Sequence, residues 1–381
     1  MNSQPVSTLI CRSNPVAPDP RVEKEADSLV EAGYRVSVIG WDRSGSFPLV
    51  EKKGDYDVHR IPIPAKYGMG MGNLIKLLNW QIRLFLWIYT HRKDFKILHA
   101  CDFDTVLPCV LIKYFFGKKL VYDIFDFYPD HLRNTPRWIK QIVHKIDYWV
   151  INHADAVILV DDSRCEQIKG TKPKRLSVIY NSPEDFPTKL RGFEPSPKGN
   201  LRLTYVGLLQ HERGLIEILN TIKKHPNWVL EFAGFGGDED MISSLCKDMP
   251  NVNWHGRVSY EKALELTQQA DVLFATYDPA IPNHKYSSPN KLFEAMMLGK
   301  PIIVARNTNM DVLVSKHDCG IIVEYGNETE LEEALLQLAN DLELRKRLGD
   351  NARKAYETKY SWDIMKTRLI ELYSQVQKSH V

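Results

Sequence analysis

The clearest candidates for chemistry lie in "SSPNKLFEAMMLGKPII" (287–303), where Lys291 and Glu294 stand just inside a run of apolar side chains. A lysine in the first turn of a helix opposes the helix dipole unless an anion sits nearby. A glutamate among buried neighbours needs hydrogen-bond donors, and two adjacent hydroxyls would supply them. The pair therefore suits a ligand with an anionic group and a diol. The alternative is that Lys291 snorkels to solvent and Glu294 pairs with a basic side chain elsewhere. Two glycine turns point the same way. "YVGLLQHERG" (205–214) leaves a strand through Gly207 and reaches Arg213 before a helix, and "LEFAGFGGDED" (230–240) leaves the next strand through Gly234, Gly236 and Gly237. Glycine lets a ligand approach the backbone, and helix N-termini favour phosphate. Taken singly, such a turn is more often only a turn, and a lone arginine more often a solvated one.

These residues need elements to position them. Ser288 is expected as N-cap and Pro289 as the first helical residue, with Gly299 closing the helix and Pro301 preventing its resumption before the strand "PIIVA". Upstream, strand-like and helical segments alternate from "VSTLICR" (6–12) to "RLSVIYNSP" (175–183), and again from "LRLTYVGLL" (201–209) to "CGIIVEY" (319–325). That rhythm predicts parallel sheets covered on both faces. The fold class expected is α/β, with two Rossmann-like domains facing a cleft, where ligands gather beyond the carboxyl ends of the strands. The boundaries expected are 1–181 for an N-terminal domain, 182–200 for a linker rich in proline and charge, 201–360 for a C-terminal domain, and 361–381 for a helix crossing back to the first domain.

Composition narrows the classes. A chain of 381 residues exceeds most single cores. With 44% hydrophobic and 26% charged residues and a mean hydropathy of −0.32, it reads as soluble and globular. A formal net charge of +2 without a basic stripe argues against nucleic acid as a partner. Six scattered cysteines, with no metal-ligand spacing, are expected as mostly buried thiols in a reducing compartment. The first residues lack the pattern of a signal peptide, and no stretch reaches the ~20 apolar residues that span a bilayer. The location expected is cytoplasmic. Residues 74–92 and 136–151 mix Trp, Tyr and aliphatic side chains with Lys and Arg, which suits either cover for the first sheet or a peripheral membrane surface.

The second half resembles the nucleotide-sugar-binding domain of the retaining GT4 glycosyltransferases, which have the two-domain GT-B fold. The stretches that carry the likeness are "YVGLLQHERGLIEIL", "LEFAGFGGDED", "VNWHGRVSYEKALELTQQADVLFA" and "SSPNKLFEAMMLGKPIIVA". "VIYNSPEDF" and the first-half "DPRVEKEADSLVEAGYRVSVIGWD" fit as well, so it runs over nearly the whole chain. The resemblance implies a hexosyltransferase of glycan or envelope biosynthesis, using a UDP- or GDP-linked sugar and a saccharide or lipid-linked acceptor. It implies that Glu294 holds the donor ribose, that Arg213 and Lys291 contact the diphosphate, and that Gly207, Gly234, Phe235 and Gly236 flank the nucleotide. Ser288 and the backbone of Pro289, Asn290 and Leu292 would approach the leaving group.

Breaking the anomeric bond leaves negative charge on the diphosphate, which Arg213, Lys291 and helix N-termini can stabilise without a metal. No cofactor and no metal site are expected, because "DFD" (102–104) follows a strand on the acceptor side. Asp126 and Asp102 are the candidates near the reacting sugar, and Arg21 is one for the acceptor or diphosphate. Arg12 and Asp19 are expected to face the same cleft. Each has the alternative of a loop charge satisfied by water or a neighbour. Three positions depart from the family pattern: Tyr286 replaces the first glutamate of Glu-x7-Glu, Leu208 replaces a diphosphate-loop arginine, and Phe125 stands where a histidine is common. They keep two rivals open, a nucleotide-sugar epimerase on the same fold and a non-catalytic nucleotide-sugar-binding partner subunit.

Overall fold

The computed structural model describes residues 5–16, 18–65, 73–132, 135–185 and 194–378. The chain divides into two compact units, one running to Tyr180 and resuming at Met365, the other Asn181–Ile364. Of the linker expected over 182–200, residues 186–193 lie outside the described residues.

The first unit contains β1 (Ser7–Arg12), α1 (Pro20–Glu31), β2 (Arg35–Asp42), β3 (Val50–Lys53), β4 (Tyr56–Pro62), α2 (Leu74–Thr90), β5 (Ile97–Cys101), α3 (Phe103–Phe116), β6 (Lys119–Ile124), α4 (Tyr128–His131), α5 (Arg137–His153), β7 (Ala156–Leu159) and β8 (Leu176–Val178). Its sheet has the order β3-β4-β2-β1-β5-β6-β7-β8. Every pairing is parallel except β3 with β4. β5 and β7 are buried at every position, as a sheet covered on both faces requires. The inner stripe of α2, Trp80, Leu84 and Ile88, is fully buried, and Trp80 stacks on Trp41 of β2 with ring centroids 5.6 Å apart. Of the six cysteines, five are buried thiols and Cys165 is exposed.

The second unit contains β9 (Leu201–Leu208), α6 (Leu215–Lys224), β10 (Trp228–Phe235), α7 (Glu239–Cys246), β11 (Val252–Gly256), α8 (Tyr260–Gln268), β12 (Val272–Ala275), α9 (Pro282–Lys285), α10 (Asn290–Leu298), β13 (Ile302–Ala305), α11 (Met310–His317), β14 (Gly320–Val323), α12 (Glu328–Asn340) and α13 (Leu342–Ala355). Its sheet, β11-β10-β9-β12-β13-β14, is wholly parallel. The strand order reverses between β9 and β12, so the carboxyl ends of these strands open the crevice where doubly wound sheets bind ligands.

Several elements lie where the alternation of strand and helix gives no sign of them. The β3–β4 hairpin turns at Gly54, whose φ of +52° suits glycine, and pairs antiparallel at the sheet edge. α11 is short, and α13 is heavily charged around a narrow apolar stripe. α13 nevertheless matters for α10. A Cβ on Gly349 would meet the Gly299 carbonyl oxygen at 2.3 Å, and Arg353 donates to the Met297 carbonyl at 2.6 Å. α13 thus clamps the end of α10, where Gly299 adopts φ +64° as C-cap.

The start of α10 corrects the sequence expectation by one residue. Pro289, not Ser288, is the N-cap, and no side chain caps the helix. Pro289 has ψ 147°, so helical geometry begins only at Asn290, and the Ser288 carbonyl accepts from Asn181 Nδ2 at 3.1 Å.

The last helix, α14 (Trp362–Lys378), carries Tyr373 into the core of the first unit, where its hydroxyl lies 2.8 Å from His99 Nδ1. Nearby, Arg21 binds both carboxylate oxygens of Asp123 at 3.1 Å, reaches Glu25 at 3.2 Å and donates to the Ile179 carbonyl at 2.7 Å. This corrects the reading of Arg21 as a ligand contact: the side chain is buried, and the carboxylates of β6 and α1 already neutralise it. His99, Cys101 and Asp123 present their ligand atoms within 4.8 Å of one another, but Arg21 already occupies the carboxylate that a cation would need.

Asp147 of α5 is also fully buried. Its Oδ1 accepts from the Tyr122 hydroxyl at 2.7 Å, while Oδ2 has no hydrogen-bond partner among the described residues. Burial pushes this carboxyl up to about 7, against the pull of Tyr122. The folded state thus prefers the protonated form. The resulting stability is full below the ordinary carboxyl range and is lost as pH rises through about 7. Asp147→Asn keeps the acceptor for Tyr122 and removes the charge. It is expected to raise unfolding stability by on the order of 1–2 kcal/mol near pH 8, with the gain shrinking towards about pH 5. Thermal unfolding of both proteins across that range checks it, and an equal difference at both ends would contradict the assignment.

Candidate functional site

The second unit brings together most of the residues singled out by sequence. β9 ends in Tyr205, Gly207 and Leu208; β10 ends in Gly234 and Phe235; β12 is followed by Thr276 and Tyr277. A Cβ on Gly234 would meet the Gly207 carbonyl oxygen at 2.0 Å, so these two strand ends approach as closely as they do only because residue 234 is glycine. A Cβ on Gly214, whose φ is +69°, would lie 2.1 Å from Thr276 Oγ1. That contact draws the short turn His211–Arg213 against the end of β12.

Lys291 and Arg213 converge on the two tyrosines. The Lys291 ammonium sits 3.6 Å from the Tyr205 ring centroid and 5.7 Å from that of Tyr277. It lies 3.4 Å from where a Cβ on Gly207 would stand. The Arg213 guanidinium lies 4.5 Å over the Tyr277 ring, and its Nε reaches Gln210 Oε1 at 3.4 Å. Lys291 Nζ is buried and has no hydrogen-bond partner among the described residues. It therefore does not snorkel to solvent. Burial, and then the neighbouring Arg213 charge, hold its pKa well below the ordinary lysine value, with Glu294 opposing. Two cations without an anion between them, at the uncapped N-terminus of α10, form a site for one.

Glu294 lies one turn further along α10, half-buried, with the Tyr260 hydroxyl 3.5 Å from its Oε1. Phe235 is exposed at the end of β10, with the Arg257 guanidinium 4.5 Å from its ring. Two of the three departures from the family pattern, Leu208 and Tyr286, lie in this unit. Leu208 is exposed, and its carbonyl accepts from the Tyr205 hydroxyl at 2.6 Å. Tyr286 follows α9, with Lys285 Nζ 5.9 Å from its ring.

A second group, in the first unit, collects at the carboxyl ends of β1, β5 and β6. Arg12 pairs with Asp19 at 2.8 Å and with Asp102, while Asn14 donates to Asp19 at 2.7 Å. Asp102 has φ 65° and ψ 169°, a backbone region that costs a non-glycine residue about 1–3 kcal/mol. The surroundings fix it: its N–H donates to the Asp123 carbonyl, and its Oδ1 accepts from the N–H groups of Phe125 at 2.8 Å and Asp126 at 3.3 Å. Burial and the neighbouring Asp126 charge push Asp102 up to about 6 against the pull of Arg12. Asp126 is more open and pairs with Arg164 at 2.8 Å. Phe125 lies under two guanidiniums, Arg12 at 4.1 Å and Arg21 at 4.8 Å.

Sequence reasoning passed over Tyr205, Tyr277, Tyr260, Asn14 and Arg164. The two tyrosine faces under Lys291 and Arg213 become neighbours only because β9 and β12 pair. The available signal was the placement of both tyrosines at strand ends.

The buried ammonium gives a pH prediction. An anion bound at Lys291 favours its charged form, so the pKa rises on binding and a proton is taken up. Affinity for a nucleoside diphosphate is therefore expected to fall as pH rises above the lowered pKa of Lys291. Calorimetry in buffers of different ionisation enthalpy should show net proton uptake that Lys291→Met abolishes; proton release would contradict it.

Comparison with known proteins bears on the family of the chain. Residues 188–355 match the model of glycosyl transferases group 1, and residues 21–182 that of glycosyltransferase family 4. An uncharacterized glycosyltransferase of Methanocaldococcus jannaschii is 26% identical over 380 residues, covering 91% of each chain. Sucrose-phosphate synthase from Thermosynechococcus elongatus superposes with a TM-score of 0.77 at 14% identity, over 98% of this chain and 99% of that one. HepE of Anabaena, solved with UDP-glucose, superposes with a TM-score of 0.69 at 13% identity, over 96% and 99%. Those two likenesses show the fold. The paired family matches, with the relative matched over 91% of each chain, identify this two-unit α/β chain as a member of the GT4-type glycosyltransferases of GT-B fold.

Proposed function

We propose that this glycosyltransferase moves a hexose-type sugar, with retention at the anomeric carbon, from a UDP- or GDP-linked donor to a saccharide or lipid-linked acceptor of glycan or envelope biosynthesis. The observation that carries the donor reading is the buried, unpartnered ammonium of Lys291 beside Arg213 at the N-terminus of α10. The complex of HepE with UDP-glucose supports a nucleotide-sugar donor. In this reading the donor diphosphate lies against Lys291, Arg213 and the N-terminus of α10, near the backbone of Ser288, Pro289, Asn290 and Leu292. Its ribose hydroxyls donate to Glu294, and its base lies beside Gly234, Phe235 and Gly236.

As the anomeric bond lengthens, negative charge grows on the diphosphate. Fixed cations in a water-poor setting stabilise that charge more than they stabilise the ground state. Lys291 and Arg213 supply this directly, so the chemistry is proposed to proceed without a metal or cofactor. Asp102 and Asp126 are assigned to the reacting sugar, with Arg12 holding Asp102 in place. The location proposed is cytoplasmic, where nucleotide sugars are made.

A second reading, a non-catalytic nucleotide-sugar-binding subunit, draws on Tyr286 and Leu208, which replace two charged residues beside the donor. It shares the binding predictions and differs in turnover.

Calorimetric titration with UDP, GDP and ADP, then with sugar conjugates of the nucleotide that binds, tests the donor. Selective binding strengthened by one attached sugar is expected, and hydrolysis or transfer of that sugar separates the enzyme from the binding subunit. No binding by folded protein would reject both. Glu294→Ala is expected to weaken donor binding by about 1.5–3 kcal/mol through lost hydrogen bonds to a charged group, and unchanged affinity would remove Glu294 from the site.

A further inference from the structure

α2, α3 and α5 lie side by side on one face of the first sheet, with α3 between the other two. Each turns a stripe inward, as cover for the sheet requires. Each also turns a stripe outward that the fold does not use. On α2 it is Ile75, Leu78, Ile82 and Leu86, spaced by three or four residues, with Ile75 79% and Ile82 60% exposed. On α5 it is Trp138, Ile142 and Trp149, spaced by four and then seven residues, with Trp138 63% exposed. α3 ends in Phe115, 71% exposed, flanked by Tyr114 and Phe116.

The three stripes join. The Tyr89 ring of α2 meets Phe116 of α3 at 5.6 Å, and Tyr114 of α3 meets Trp149 of α5 at 5.8 Å. Arg92 lies 4.4 Å over Tyr89 and 5.1 Å over Phe116, so the aromatic seam carries a cation. An apolar surface continuous over three helices exceeds the scattered exposure normal for a monomer.

Charge selects the occupant. α2 contains Lys76 and Arg83 and no acidic residue. α5 contains Arg137, Lys140 and Lys145, and its one acid, Asp147, is buried. The acid of α3, Asp104, sits in its first turn, far from the aromatic end. A second copy placed symmetrically on this face would set these cations against each other. An anionic bilayer would neutralise them while its acyl boundary took up the aliphatic and aromatic side chains.

We propose that the outer face of α2, α3 and α5 is a docking surface for an anionic lipid bilayer, on which the protein lies peripherally. Among the described residues no helix is long and apolar enough to cross a membrane, so the attachment is lateral. The inference rests on the proposed function only in making a lipid-linked acceptor the reason for docking.

The full chain would be floated with vesicles of phosphatidylcholine alone and of phosphatidylcholine mixed with phosphatidylglycerol, without donor. Flotation with the mixed vesicles, a loss at high salt and a blue shift of tryptophan emission are expected. The double variant Ile82→Glu with Phe115→Glu should weaken partitioning by about tenfold or more. Both positions are exposed, and retained nucleotide binding and circular dichroism would show that the variant is folded. Two results overturn the proposal: no flotation of the folded parent, or flotation that the variant leaves unchanged. A lipid-free dimer dissolved by the same variant, with no flotation, would give the face to a second copy instead. Because donor binding is read separately, failure here leaves the transferase reading standing, and the reverse holds.

Discussion

A lysine buried with no acceptor among the described residues is a debt that something else in the fold must carry, and Lys291 sets that condition for the second unit. Contact with the Tyr205 face returns up to about 2 kcal/mol for a desolvated cation. Removing an ammonium from water costs several kcal/mol. The remainder is met by the helix that carries the lysine. Leu292, Phe293, Ala295, Met296 and Met297 of α10 are buried, and each large apolar side chain contributes about 1.5–3 kcal/mol. The far end of α10 is clamped where Gly349 of α13 meets the Gly299 carbonyl. The helix cannot shift to release its lysine. An anionic ligand would relieve a strain that the packing maintains, so binding energy is stored where the ligand's charge arrives.

The first unit treats its charges in the opposite way. Arg21, Asp123, Glu25 and His99 are all buried, and the guanidinium divides itself among two carboxylates and the Ile179 carbonyl. Tyr373 of α14 closes the cluster from the other side. Because the Arg21 and Asp123 charges cancel internally, they tie β6 to α1 and leave the outer layer free to be unusual. Asp102 occupies a backbone region suited to glycine, held by Asp123 behind it and by Phe125 and Asp126 in front. A conformation fixed from both sides is one the fold maintains at a cost, and its carboxylate is paired with Arg12 as a result.

How much of this was legible in the sequence depended on whether the signal was local. Lys291 and Glu294 stand out because helix dipoles and burial penalise them within one turn of chain. Gly207 and Gly234 stand out because strand-to-helix turns have a short grammar. The alternation of elements gave the two α/β units for the same reason. Tyr205 and Tyr277 did not stand out: a tyrosine at a strand end is ordinary until β9 and β12 are known to be neighbours. Arg12 and Arg21 look alike in the sequence, both charged and both near the first turn. Only the position of Asp123, a hundred residues away, buries one and leaves the other part-exposed. α13 was hidden because its apolar stripe is narrow and its purpose, the clamp on α10, is wholly tertiary. The N-cap of α10 slipped by one residue because proline suits either position and the ψ angle decides.

The same distinction between local pattern and tertiary need bears on the helices of the first sheet. An amphipathic covering helix requires one apolar stripe. α2 has that stripe in Trp80, Leu84 and Ile88, which are fully buried, and removing its outward stripe would cost the core nothing. Exposed isoleucine, leucine and tryptophan carry a standing penalty in water and a risk of aggregation. Along α2 they alternate with lysine and arginine and never with acid, a pattern that neither the core nor solubility calls for. The inward stripe explains why the helix is there. The outward stripe has to be explained by what lies beyond the protein, and an anionic, apolar boundary matches both halves of its composition.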